Sequence, residues 1–79
     1  MRIYLDAEFI EESKRNAYLN ERMRMERDIL LAQSDWTQMP DSPLTDAKKQ
    51  EWADYRQSLR DYPATWTPAD FAEFEDAPA

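Results

Sequence analysis

The sequence predicts an all-α fold: a helical hairpin (a long N-terminal helix, a Pro-containing loop and a second amphipathic helix) followed by a short C-terminal helix. Three observations carry this reading. The 79 residues include no Gly, no Val and only three Ile, whereas tight hairpin turns draw on Gly and extended sheet draws on β-branched side chains. Leu, Met, Ala, Glu, Gln, Lys and Arg, the good helix formers, are plentiful. The Pro residues punctuate the connections between the periodic stretches. A chain this short holds one domain and buries only ~60 % of its unfolded surface. Its mean hydropathy of −0.95 and its 34 % charged residues lean toward disorder, but an aromatic share of 13 % with three Trp leans back. The balance describes a marginally stable helical module that gains stability from a partner.

Arg2 to Leu5 reads as a short extended piece. From Asp6 or Glu8 to Gln33 nothing breaks a helix, and Asp6 is the expected N-cap, with Glu8, Glu11 and Glu12 in the first turn. Glu11 with Arg15 and Arg22 with Glu26 are spaced to tie successive turns. Such a helix spans about 39 Å. Its apolar residues fall into two stripes: Leu19, Met23 and Leu30 on one side, Tyr18, Met25 and Ile29 roughly 120° away. One stripe docks one neighbour; the second calls for another segment, a second copy or a partner protein.

Residues 34–44 form the connection, with Pro40 and Pro43 excluding helix and Trp36 folding back as a plug over the hairpin. Thr45 is the N-cap of the second helix, which runs to Asp61 with Trp52, Tyr55, Leu59 and Tyr62 on one stripe. After Pro63, Trp66-Thr67-Pro68-Ala69-Asp70-Phe71 carries a helix-start pattern: Thr67 as cap, Pro68 first, and Trp66 and Phe71 as a hydrophobic staple. A two-turn helix to Glu75 or Asp76 is expected. The chain divides into a hairpin module, residues 1–63, and an acidic tail, residues 64–79.

The formal net charge of −7 is uneven. Residues 1–60 hold all ten basic residues and twelve acidic ones, while residues 61–79 hold five acidic residues and no base. Nucleic acid and anionic membrane are therefore poor partners. No apolar run is long enough to span a bilayer, and the start lacks a signal-peptide pattern, so a small protein made and kept in the cytosol is expected. Without Cys or His, and without a loop of alternating carboxylates around a Gly turn, no cofactor or metal site is expected. The carboxylate pairs Glu11/Glu12 and Glu73/Glu75 lie on solvated faces with no pocket-building loop, so the chain reads as a non-enzyme.

Within the second helix, Trp52 and Leu59 belong to the core against Leu30, Met23 and Trp36. Tyr55 and Arg56 are better candidates for a partner surface, because Tyr, Trp and Arg dominate interface hot spots. Trp36 and the stripe Tyr18, Met25 and Ile29 join that partner-binding set. In the tail, Phe71 and Phe74 alternate with acids, as in a short peptide that docks aromatics into a groove with a basic rim.

The order Arg27-Asp28-Ile29-Leu30-Leu31, Ser34-Asp35-Trp36-Thr37-Gln38, Pro40-Asp41, Pro43-Leu44-Thr45, Trp52, Tyr55-Arg56, Leu59-Arg60-Asp61, Pro63 resembles the phage tail assembly chaperone domain, found in tail-fibre assembly chaperones. The resemblance covers Arg27 to Pro63 and implies a phage protein that assists tail or tail-fibre assembly by binding a tail or fibre protein in the host cytoplasm. The alternatives are a stoichiometric component of the virion tail and a small acidic inhibitor of a host enzyme. Self-association through the long helix is compatible with each of them.

Overall fold

The computed structural model describes all 79 residues, Met1 to Ala79. Its frame is the expected hairpin: α1 (Glu12–Ser34) runs through a 3-10 turn (Asp35–Gln38) into a Pro-bearing loop and then α2 (Asp46–Thr65). The fold is not purely helical, however. Strand β1 (Arg2–Tyr4) pairs antiparallel with β2 (Phe71–Glu73), in the register Arg2 with Glu73, Ile3 with Ala72 and Tyr4 with Phe71. The molecule is a rod 47 Å long and 18 Å across. No residue has a positive φ, so every turn is one that a Gly-free chain can make without strain.

The core lies where the hairpin and the two terminal segments meet. Leu19 and Met23 come from α1, Tyr55 and Leu59 from α2, and Leu5, Ala7, Ala72 and Phe74 from the termini. The first apolar stripe of α1 is thus the inward one, with Met23 fully buried and Leu30 packed at the margin. Burying side chains of this size stabilises by roughly 1.5–3 kcal/mol each.

The short C-terminal helix expected after Thr67 is absent, and residues 71–73 form β2 instead. An isolated two-turn helix is marginal in water, so its start pattern loses to packing. As a strand the segment alternates, burying Ala72 and Phe74 while Glu73 faces out. Phe74 lands on Tyr62 with ring centroids 4.7 Å apart. Phe71 does not staple onto Trp66; it packs against Tyr4 at 6.1 Å and beneath the Arg2 guanidinium at 4.1 Å. Extended pairing continues past the strands, with Leu5 N–H donating to the Asp70 carbonyl at 2.8 Å and Phe74 N–H to the Met1 carbonyl at 2.9 Å.

That continuation also explains why α1 starts at Glu12 rather than near Asp6. Leu5 and Ala7 are drawn into the core by the extended chain, so Asp6 caps nothing and Glu11 precedes the helix without a side-chain cap. Glu11 pairs with Lys14 at 3.7 Å, and Arg15 turns instead to the Ile10 carbonyl at 2.9 Å; the Arg22–Glu26 pair forms as expected at 3.0 Å. Thr45 does cap α2, its Oγ1 accepting from the Lys48 N–H at 3.2 Å. α2 then runs past Asp61 through Pro63 to Thr65. The φ of Pro suits a helix, but Pro63 has no N–H to donate to the Leu59 carbonyl and its ring crowds that carbonyl, and the helix ends two residues later. Tyr62 anchors this last turn, packing on Phe74 and accepting through its hydroxyl from the Glu73 N–H at 2.8 Å.

Candidate protein-binding surface

Three consecutive features of the chain meet at the closed end of the hairpin. Arg56, from the middle of α2, reaches across to the end of α1, where helix carbonyls lack intrahelical donors and the dipole favours a cation. Its guanidinium donates to the Leu31 carbonyl at 2.6 Å, to Ser34 Oγ at 2.7 Å and to Asp35 Oδ1 at 2.8 Å. Ser34 in turn donates to the Leu30 carbonyl at 2.9 Å. Thr37 is wholly buried, and its hydroxyl donates to the Ser34 carbonyl at 2.6 Å. Gln38 donates through Nε2 to the Lys49 carbonyl at 3.3 Å, joining the 3-10 turn to the first part of α2.

Aromatic rings complete the clasp. Trp36 lies against Trp52 with centroids 6.1 Å apart, and Trp52 meets Tyr55 edge-on at 5.7 Å. Contacts of this geometry add about 0.5–1.5 kcal/mol each beyond area burial. The cluster Asp35-Trp36-Thr37-Gln38 with Trp52, Tyr55 and Arg56 therefore fastens α1 to α2.

The eight residues expected to bind a partner separate into four groups. Tyr55 and Phe74 are core residues, 4 % and 2 % exposed, and contribute no surface in this fold. They lie inside because each faces the seam where the helices and the sheet close. Arg56 is spent on the clasp, with only 14 % of its side chain exposed. Phe71 is half-buried with Tyr4 and Arg2 at the sheet, away from the clasp. Met25, Ile29 and Trp36 are about half exposed, and Tyr18 is half-buried on the same outer stripe of α1.

Four exposed apolar side chains lie outside the candidate set: Met1, Tyr4, Phe9 and Met39. Phe9 is 90 % exposed because the helix starts after it; read as part of a helix, it had no reason to stand apart. Tyr4 alternates with partly buried Ile3 and buried Leu5, a period-2 signal present in the sequence but too short to weigh alone.

The clefts offer no concentrated chemistry. The largest, about 570 Å³, lies between Tyr4, Phe9 and Arg15 with Asp6, Glu8 and Asp70 around it. A narrower groove of about 330 Å³ runs along Leu30, Trp52 and Tyr55, with Asp76 and Ala77 of the tail at its border. Burial raises the Tyr55 hydroxyl pKa above its usual 10.0, and the Asp76 charge adds to the effect. No helix is long and apolar enough to cross a membrane.

The model of one protein family, described as phage tail assembly chaperone protein, matches residues 20–78. That span holds the clasp, all of α2, β2 and the α1 residues Met25 and Ile29. No curated protein and no solved structure matches the chain.

Proposed function

The chain belongs to the phage tail assembly chaperone family, and from that premise we propose that it acts without catalysis, by binding an unassembled tail or tail-fibre protein in the host cytoplasm. The observation that carries the binding mode is the set Met25, Ile29 and Trp36, three large apolar side chains left about half exposed on a chain that has already closed its core elsewhere. Apolar side chains grouped on one face mark interaction sites. Tyr18 extends the face toward the helix N-terminus, and Phe71 offers a second, smaller contact beside the sheet. Covering sticky surface on an unassembled partner, such as unpaired strand edges, is the physical service of such a chaperone.

Co-expression with phage tail and tail-fibre proteins tests the proposal. A tail or fibre protein should co-purify with the chain, and mass spectrometry of finished virions should not find the chain. Stoichiometric recovery from virions would instead make it a structural component of the tail.

A further inference from the structure

We propose that the outer face of α1 receives a helix of the partner whose apolar seam is bordered by Lys or Arg; this deepens the chaperone reading above and rests on it. The first ground is spacing. Tyr18, Met25 and Ala32 recur every seven residues, and Arg22 and Ile29 follow the first two by four. Those are the positions of a heptad seam, on which a second helix packs knobs into holes. The Arg22 head group is drawn aside to Glu26 at 3.0 Å, so its methylenes can line the seam. Met25 and Ile29 remain 50 % and 47 % exposed, Tyr18 at the start of the seam is partly buried against the core, and the opposite face of the same helix is occupied by Leu19 and Met23.

The second ground is charge, and it decides the occupant. Along one border of the seam stand Glu21, Asp28 and Asp35, again seven apart and all carboxylates. Ser34, with φ −107 and ψ 4, ends the regular α-helix, so Asp35 stands at the end of this border in the 3-10 turn. The Asp28 and Asp35 side chains remain 62 % and 58 % exposed, and each engages its neighbouring Arg through Oδ1 alone. Two copies laid antiparallel would set this border against itself; laid parallel, Glu21 of one would face Glu26 of the other. Both arrangements oppose like charges. A foreign helix with Lys or Arg at the flanking positions turns the same border attractive, and the overall charge of −7 steers it in. A seam this short falls at the low end of interface sizes, below about 1,200 Å² in total, as suits a contact that must be released.

The test titrates the full chain with two synthetic helical peptides of about three heptads, Leu at the seam positions and either Lys or Glu at the flanks. The Lys-flanked peptide should bind at least about tenfold tighter than the Glu-flanked one. The double substitution Met25→Ser with Ile29→Ser, which leaves charge unchanged, should weaken it at least about tenfold, and Glu21→Lys with Asp28→Lys should invert the preference. Equal binding of both peptides overturns the inference, as does indifference to the serine substitutions. A dimer in sedimentation that the serine substitutions abolish would mean that a second copy holds the face, which also overturns it. Co-purification of a tail protein with the serine variant overturns the face while leaving the chaperone reading intact. If the unaltered chain captures no tail protein, the chaperone reading itself falls.

Discussion

α1 carries apolar stripes on two faces, and they meet different fates. Leu19 and Met23 on the inner face are 3 % and 0 % exposed, whereas Met25 and Ile29 on the outer face are about half exposed. Side-chain chemistry does not separate them, since each face has a Met and a branched aliphatic residue. What separates them is supply. α2 and the two terminal segments cover one side of α1 and leave Met25 and Ile29 on the other about half exposed. Apolarity in a small protein is therefore a request for a neighbour, and only part of it is met from within.

Four substitutions or conditions put pressure on this contrast. Met23→Ala removes a fully buried side chain and should cost about 2–5 kcal/mol, lowering Tm by at least about 8 °C in calorimetry or thermal circular dichroism. Arg56→Gln breaks the clasp behind the inner face, removing the guanidinium from Asp35 and leaving the Leu31 carbonyl only the Ser34 hydroxyl. A loss of about 1.5–3 kcal/mol is expected in urea unfolding, with no new binding phenotype beyond that instability. Alkaline pH tests the core differently. Because the Tyr55 pKa is raised in the fold, the unfolded chain deprotonates first. Its contribution is complete below pH 10.0 and is lost as pH rises through the raised value, so the urea midpoint should fall above pH 10.0 and be flatter in Tyr55→Phe. On the outer face, Met25→Ala with Ile29→Ala should change stability by less than about 0.5 kcal/mol per residue while weakening partner capture. A large loss of stability there would erase the distinction between the faces.

The hairpin was legible because its signals are local and repeated. Thr45 before Asp46, and Trp52, Tyr55, Leu59 and Tyr62 at spacings of three and four, need no knowledge of the rest of the chain. The two stripes of α1 were legible too, but not which would be covered. Residues 67–76 misled for a physical reason. Thr67-Pro68-Ala69-Asp70 is a good local helix start, yet the choice is made by Ile3 and Leu5 some seventy residues away, which offer a pairing edge and a core. Tyr55 and Arg56 were placed on a surface because their residue types favour interfaces; their partners, the buried seam and the Leu31 carbonyl, come from across the hairpin. The order of residues from Arg27 to Pro63 still pointed to the right family. Its most distinctive part, Asp35-Trp36-Thr37-Gln38, turns out to hold the hairpin shut.

The pairing of Arg2 with Glu73 joins nearly the two ends of the chain. Closing a loop of that length costs only about 1.5–2 kcal/mol more chain entropy than closing the short connection between α1 and α2. With the sheet open, the chain would lose the part of its core that the termini supply, Leu5, Ala7, Ala72 and Phe74. For as long as it is open, Phe74 leaves Tyr62 and Leu5 leaves Met23 and Leu59 bare. A form with the sheet open would therefore present more apolar surface than the closed one.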